Sequence, residues 1–527
     1  MNAPGIRRAL VGVVWLSASG YLAFALNFGL NLLLARLLFP KDFGQFALAG
    51  SLAELLSLVT GLSFSQGIIQ IQGVAGVAET AYVLSVRLYG ALLVGGAAVA
   101  AALVHHYPGR FIPLFFALFA IRNLSLISYV YSAQLERGFR YSQLSLVRLL
   151  STIGSIVVAL GLARMGAGVW SLLGRELVLS LVTLVGCRVA SGWRYRGGYS
   201  REAARRLWQF GRQMLAMRAL EVVWYRADTA LLGVLAGTLT LGFYDRGRYL
   251  AEFGHYMVSF AAVQVAFPVY ARLQARPDAL TYAYQLSHGL LIRLMLPYLL
   301  WLGLFPRELV GLLYGAGVRW NETAALLPWL AAFGFLFPVV DNIKVILSGI
   351  GRLREAVWIR LAQVAVALPL LAPAILVAGA RGGAAVMVLS EFAGLVAGYR
   401  ALRPQVNGLN LRSYLRPALA AAIAGGTIAA GRGLHVLPWV GRAGYAANLG
   451  AVAGLYLLCL LIVDRQQIQD YLWALVDGFR GQAPPRWGEP AGAAARPSEL
   501  GSAPEVAAST DGRRETVPAP ILPEDPP

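Results

Sequence analysis

The chain is poor in charged residues and in cysteine. Charged residues make up 13% of its 527 residues and hydrophobic ones 58%, at a mean hydropathy of +0.62, which excludes an ordinary soluble globular protein. The two cysteines, Cys187 and Cys459, lie in separate apolar stretches and exclude a disulfide framework. No G-x-x-x-x-G-K-[ST] motif is present, which excludes ATP hydrolysis by that phosphate-binding loop.

Long polar segments between the apolar stretches are also missing. No gap offers a carboxylate-rich loop of the kind that a membrane glycosyltransferase needs for its metal ion. The adjacent His105 and His106 do not have the spacing of metal ligands. We therefore expect that the protein is not an enzyme and that it holds no metal or cofactor, apart from a proton or sodium ion used for coupling.

Apolar stretches of membrane-spanning length dominate the chain, because a hydrocarbon core of about 30 Å needs about 20 residues. They predict an all-α integral membrane protein with about fourteen transmembrane helices. The arginine-rich gaps alternate with poorer ones, which places both termini in the cytoplasm by the positive-inside rule. The predicted spans are residues 11–38, 43–65, 81–104, 111–135, 141–163, 168–190, 207–236, 241–270, 281–305, 323–350, 355–379, 383–402, 413–431 and 444–464.

Two halves of the chain resemble each other, which predicts two six-helix lobes in a pseudo-two-fold arrangement around a central cavity. Residues 32–56 align with 230–254, and Gly44 then matches Gly242. Further along, 136–140 is matched with 351–355, and Gly168 with Gly383. A repeat of an even number of spans keeps its orientation in the membrane and places the substrate site between the halves.

The repeat and the composition divide the chain into six segments. Two C-terminal spans lie outside the repeat, and the last residues have the composition of a disordered tail. The predicted segments are the N-lobe 1–190, an interfacial linker 191–206, the C-lobe 207–402, spans 13 and 14 at 403–465, an amphipathic helix 466–480 and a cytoplasmic tail 481–527.

Arginines lie inside the apolar stretches, where a charged side chain costs about 2.5–3.5 kcal/mol on insertion scales. They should therefore face a protein interior or a water-filled cavity. Arg122 and Arg293 have no acidic residue one helical turn away and favour a functional cavity, whereas Arg148 is expected to snorkel and Arg175 to be neutralised by a neighbouring helix. The full set is Arg87, Arg122, Arg148, Arg175, Arg218, Arg226 and Arg293.

Polar stripes mark the two spans that open the second half. Each stripe either lines a hydrophilic cavity or forms local ion pairs that serve packing. A pair of asparagines in span 1 either bonds a neighbouring helix or faces the substrate, and Asp341 and Lys344 are expected to pair with each other. The stripes are Arg218, Glu221, Tyr225 and Asp228, then Asp245, Arg248, Glu252 and His255; the asparagines are Asn27 and Asn31.

Three segments resemble a known family. ARLLFPKDFGQFAL at 35–48, LGFYDRGRYLAEF at 241–253 and LLYGAGVRWNETAALLPWLA at 312–331 are similar to bacterial polysaccharide flippases of the Wzx type. These belong to the multidrug/oligosaccharidyl-lipid/polysaccharide exporter superfamily. The resemblance implies alternating access that moves an undecaprenyl-pyrophosphate-linked oligosaccharide across the bacterial inner membrane. Implied partners are membrane lipids, a polysaccharide polymerase and glycosyltransferases, without nucleic acid.

The resemblance and the residue pattern together give the predicted site. A cation-coupled drug antiporter of the same superfamily and a membrane-embedded glycan polymerase or ligase stay open as alternatives. The predicted cationic cavity comprises Arg36, Arg122, Arg218, Arg226, Arg246, Arg248 and Arg293; glycan contacts are Asn27, Asn31, Tyr225 and Tyr244; ion-coupling carboxylates are Glu54, Glu252 and Glu391.

Overall fold

The structure is a computed structural model that describes residues 3–71, 73–107, 109–315, 318–406, 412–433, 442–465 and 468–469. Helices form all regular structure in these residues, which confirms the all-α class. Short 3₁₀ helices at Leu58–Leu62 and Val318–Trp320 accompany α1 (Ala3–Leu37), α2 (Pro40–Leu56), α3 (Phe64–Gln70), α4 (Val77–Leu103), α5 (Phe111–Asn123), α6 (Ser125–Arg137), α7 (Tyr141–Arg164), α8 (Val169–Ser191), α9 (Arg201–Leu235), α10 (Gly237–Leu273), α11 (Pro277–Leu304), α12 (Pro306–Tyr314), α13 (Asn321–Gly349), α14 (Leu353–Leu402), α15 (Arg412–Gly433) and α16 (Arg442–Val463).

Each predicted span falls on helical residues of the structure. Spans 11 and 12 both lie within α14, which is broken at Gly379. By length and apolar composition, eight helices of the described residues can cross a membrane, or nine when α2 and the bent segment after it count as one span. The protein is thus a multi-pass membrane protein, and the count of fourteen crossings stays a prediction.

The predicted segment boundaries can be compared with the observed helices in two places. α9 begins at Arg201, where Ser200 caps it by accepting a hydrogen bond from the Ala203 amide at 3.2 Å. It continues to Leu235, so residues predicted as linker are joined to the span that follows. The predicted amphipathic helix 466–480, except for 468–469, and the tail 481–527 lie outside the described residues.

The helices group into two lobes and a C-terminal pair. In the N-lobe α1 packs on α7 and α7 on α8, and in the C-lobe α13 packs on α10, α11 and α14. α15 and α16 pack on each other and on α11. The lobes meet where α2 contacts α9 and α10, and one apolar core containing Leu48, Leu241 and Phe333 runs through this contact.

The crossing of α2 and α10 carries the pseudo-two-fold symmetry. A Cβ on Gly44 would lie 1.6 Å from the carbonyl oxygen of Thr238, and a Cβ on Gly242 would lie 1.8 Å from that of Pro40. Each glycine therefore faces the carbonyl group of the residue that stands four positions before the other glycine, so the two contacts are equivalent. The match of Gly44 with Gly242 seen in the sequence is a pair of symmetry-related residues in direct contact.

The second part of the repeat follows a different register from the predicted one. The α6–α7 turn places Phe139 at φ +53°, and the Arg140 amide donates to Leu135 at 2.8 Å. In the α13–α14 turn Gly351 has φ +80°, and the Arg352 amide makes the equivalent bond at 2.7 Å. The predicted match of 136–140 with 351–355 is therefore wrong by three residues.

The break in α14 corrects the remaining match. Gly168, before α8, has φ 56° and ψ −129°. Gly379 has φ 57° and ψ −137° and stands at the same point of the C-lobe, whereas Gly383 lies within the helix that follows. The counterpart of Gly168 is therefore Gly379, and the predicted match with Gly383 is wrong by four residues, because a glycine at positive φ marks the helix start.

Candidate functional site

A cavity of about 1030 Å³ lies between the lobes. Its walls come from the C-terminal half of α2, the bent segment after it, α4, α5, α6, α7, α9, α13 and α14. Arg218 and Arg148 have side-chain exposures of 51% and 53%, so the cavity is open to solvent. Six basic side chains and three acidic ones line it: Arg122, Arg148, Arg218, Arg226, Lys344 and Arg360, with Glu54, Glu136 and Glu221.

Glu54 on α2 is the point at which arginines of both lobes converge. Arg226 donates from Nε to Glu54 at 2.7 Å, and a terminal nitrogen of Arg218 lies 3.5 Å from the carboxylate. Arg122 of the N-lobe lies 4.0 Å away and donates to the Gly50 carbonyl at 3.0 Å. A Cβ on Gly50 would lie 3.0 Å from this guanidinium, so the glycine makes room for it. The structure thus brings together four predicted residues.

Arg148 and Arg360 also line the cavity, although the predicted site includes neither. Each stands eight residues after the arginine of an equivalent turn, Arg140 or Arg352, so the two are counterparts in the two lobes. Arg148 was expected only to snorkel toward the cytoplasm. In the structure it lies 3.7 Å from Glu136 in a half-exposed ion pair at the cavity wall. The repeated spacing of two arginines is the signal that identifies them.

The polar stripes of α9 and α10 bind mainly to each other. Arg248 forms ion pairs with Asp228 and with Glu252, the second at 2.7 Å. Tyr225 and Tyr244 each donate to one of these carboxylates at 2.7 Å. None of the five lines the cavity, so the alternative of packing ion pairs holds for this part of the stripes.

The predicted residues of α1 contact other helices outside the cavity. Asn27 accepts from Arg175 at 2.7 Å, and Asn31 accepts from Arg246 at 3.1 Å. Arg246 also pairs with Asp245 at 2.6 Å. The structure therefore does not bring these residues to the cavity wall.

Two further predicted residues are buried away from the cavity wall. Arg293, with 4% of its side chain exposed, pairs with Asp464 at the end of α16. Arg293 has no acidic residue one turn away in its own helix, as the sequence indicated, but its charge is offset by a residue that is distant in sequence instead of facing the cavity. Glu391 is fully buried and accepts from Gln363 at 2.8 Å. The expected ion pair of Asp341 and Lys344 is confirmed at 2.9 Å.

The lobes are closed against each other at the end opposite the cavity. The cavity adjoins the C-terminal parts of α2 and α13, whereas the first residues of α2 and the residues just before α13 form interlobe contacts. Trp320, just before α13, donates to the Ala35 carbonyl at 3.1 Å, and Arg319 donates to that of Arg36 at 3.2 Å. Arg36 in turn donates to the Leu312 carbonyl at 2.8 Å. The predicted cavity residue Arg36 is thus part of this closed end.

Two helical lobes around a cavity that is open at one end define the class of the protein as a multi-pass helical membrane protein. Residues 33–325 match the family model described as polysaccharide biosynthesis protein, and the chain belongs to this family. The succinoglycan biosynthesis transport protein ExoT of Rhizobium meliloti (strain 1021) is 23% identical over 364 residues, which are 68% of this chain and 72% of that protein.

Solved structures share the fold. The lipid II flippase MurJ in an inward closed conformation superposes with a TM-score of 0.67 at 11% identity, covering 86% of this chain and all of that one. An inward-facing multidrug resistance transporter of the MATE family and MOP superfamily gives 0.58 at 16% identity, covering 73% and 95%. The fold of the multidrug/oligosaccharidyl-lipid/polysaccharide exporter superfamily, inferred from sequence motifs, is confirmed.

Proposed function

We propose that the protein is a flippase that moves an undecaprenyl-pyrophosphate-linked oligosaccharide across the bacterial cytoplasmic membrane for exopolysaccharide or O-antigen synthesis. The observation that carries the proposal is the convergence of Arg122, Arg218 and Arg226 on Glu54 in a cavity with three more basic than acidic side chains. Guanidinium groups bind phosphate oxygens by charge-assisted hydrogen bonds, often two at a time.

In this proposal Glu54 holds the arginines in place until the substrate arrives. Its carboxylate stands where one phosphate of the headgroup would accept the same hydrogen bonds. Because a pyrophosphate carries more negative charge than one carboxylate, it competes for Arg218 and Arg226 when it enters the cavity. Displacement of Glu54 then links substrate binding to the contact between the two lobes.

The direction of loading follows from the positive-inside rule. The arginine-rich turns at Arg140 and Arg352 lie beside the open end of the cavity, where Glu136 and Leu353 line it. The proposal places this end at the cytoplasm, with both termini on that side, so the headgroup enters from the inner leaflet. Release requires that the closed end at Trp320 and Ala35 opens while the cavity end closes.

Transport in reconstituted vesicles tests the proposal. A fluorescent lipid-linked oligosaccharide is expected to become accessible to a quencher in the other leaflet faster with the protein than in empty vesicles. Arg226→Gln is expected to slow this exchange at least tenfold, since it removes a charge-assisted bond at the site. Arg164→Gln, an exposed arginine at the end of α7, is the matched control. Export of a small cation without lipid exchange would contradict the proposal and favour a drug antiporter.

A further inference from the structure

A buried carboxyl group lies one side chain away from the cavity. Glu391 on α14 is fully buried, and its Oε1 has no hydrogen-bond partner within the described residues. Its Oε2 accepts one bond, from Gln363 Nε2 at 2.8 Å. A lone ionised carboxylate in such surroundings carries a large desolvation cost, which a bound proton removes.

Gln363 connects this carboxyl group to a cavity arginine. Arg360 lines the cavity and donates from Nη1 to Gln363 Oε1 at 2.9 Å. The amide thus accepts from the guanidinium on one side and donates to Glu391 on the other. Among the described residues no carboxylate forms an ion pair with Arg360 within 4.0 Å, and the amide of Gln363 bridges its guanidinium to Glu391.

The surrounding residues fix this arrangement. The Trp224 ring lies 4.0 Å below the Arg360 guanidinium, and its Nε1 donates to Ser390 at 3.0 Å. Ser390 donates to the Gln363 carbonyl at 2.9 Å. A Cβ on Gly394 would lie 2.8 Å from the Gln363 side chain, so this glycine provides the space for the amide.

Charged groups on the neighbouring helices are already paired. On α13, Lys344 lies 2.9 Å from Asp341, which also has His255 of α10 at 3.8 Å. On α9, Glu221 lies 3.0 Å from Arg218. Lys344 also attracts Glu391, and Glu221 and Asp341 also attract Arg360, so the amide couples Arg360 and Glu391 within this larger set of charges.

We propose that Glu391 is a proton-binding site coupled through Gln363 to the binding of an anion at Arg360. When Glu391 is ionised, it offsets the charge of Arg360 and weakens the attraction for a phosphate group. When Oε1 takes up a proton, the charge of Arg360 is free for the phosphate. By linkage, anion binding then favours proton uptake to the same degree. The inference rests on the proposed function for the identity of the anion, a pyrophosphate headgroup.

Anion affinity as a function of pH tests this coupling. The full chain in lipid nanodiscs is titrated with inorganic pyrophosphate, as wild type and as Glu391→Gln, which mimics the protonated state. At low pH the two proteins are expected to bind alike, and at high pH the wild type should bind about tenfold more weakly, equal to about 1.4 kcal/mol. Comparison at each pH cancels the titration of pyrophosphate itself. Glu355→Gln, on the same helix and outside the cavity wall, should follow the wild type.

Infrared difference spectra give a second measurement. Addition of pyrophosphate at neutral pH should increase the band of a protonated carboxyl group in the wild type, and this change should be absent in Glu391→Gln. Gln363→Met keeps Glu391 and removes the amide, so its spectrum should also lose the anion-induced change. This variant tests the coupling independently if Glu391→Gln folds poorly.

The outcomes separate this inference from the proposed function. Parallel affinity curves for wild type and Glu391→Gln, or no binding of pyrophosphate to the wild type, would overturn the coupling. Vesicle exchange of the lipid-linked oligosaccharide by the wild type would leave the flippase proposal standing in that case. A coupled anion site in a protein that exchanges no lipid would instead contradict the flippase proposal alone.

Discussion

The glycine crossing between α2 and α10 gives the sharpest quantitative prediction, for Gly44→Ala. The new Cβ would lie 1.6 Å from the Thr238 carbonyl oxygen, and real Cβ atoms essentially never approach below 3.0 Å. Since the obstacle is backbone and cannot rotate away, the helices must separate by more than about 1 Å in a close-packed interface. Overpacking costs about 1–3 kcal/mol and occasionally more, and we expect a loss near 3 kcal/mol.

Gly242→Ala should have a similar effect, because its Cβ would lie 1.8 Å from the Pro40 carbonyl oxygen. The double variant should cost less than the sum of the two, since one separation of the helices relieves both clashes. Gly90→Ala on α4 is the control: its Cβ would meet nothing within 4 Å. There the helix should gain up to about 1 kcal/mol from the better helix former.

Thermal unfolding in detergent and hydrogen–deuterium exchange measure these effects. Gly44→Ala should unfold at a lower temperature than wild type, and exchange should increase in the peptides that cover the start of α2 and of α10. An unfolding temperature for Gly44→Ala equal to that of Gly90→Ala, with unchanged exchange, would refute the close contact of the lobes at this crossing.

Three further changes test the site and its supports. Glu54→Gln removes the carboxylate that competes for Arg226. The affinity for pyrophosphate, measured by calorimetry, should therefore rise about tenfold, equal to about 1.4 kcal/mol, while lipid exchange slows. Weaker binding of pyrophosphate would contradict the role of Glu54. Asp464→Asn leaves the buried Arg293 without its carboxylate and should cost about 3–5 kcal/mol in thermal unfolding; an unchanged unfolding temperature would rule out a buried ion pair. Trp320→Phe removes the hydrogen bond to Ala35, which costs about 1 kcal/mol, and should raise hydrogen–deuterium exchange at the end of α1; unchanged exchange there would contradict the role of this bond in closing the lobes.

Local patterns in the sequence predicted the parts of the fold that depend on local spacing. Helix positions follow from apolar length, and the Asp341–Lys344 pair follows from a separation of three residues. The match of Gly44 with Gly242 was visible because both lie in aligned segments of equal length. Insertions between the later spans shifted the alignment, which is why the counterpart of Gly168 was misplaced by four residues.

Contacts between distant helices could not be predicted in the same way. Arg226 and Glu54 are 172 residues apart, and Arg293 and Asp464 are 171 apart. Which faces of two such helices meet depends on their rotation and their depth in the membrane, and neither is encoded in the spacing within one helix. An isolated charge in a span therefore predicts a partner or a cavity, and the sequence alone does not distinguish the two.

The buried arginines separate by the partner that offsets their charge. Arg248 and Arg293 each have a carboxylate in direct contact inside the protein, and exchanging it for a substrate would leave a buried charge uncompensated. Arg360 and Arg218 differ. Among the described residues no carboxylate forms an ion pair with the first within 4.0 Å, and the second is half exposed in the cavity, where solvent weakens its pairs with Glu221 and Glu54. A substrate phosphate can replace these weaker partners at small cost. The residues best suited to bind an anion reversibly are therefore those whose charges the folded protein leaves least satisfied.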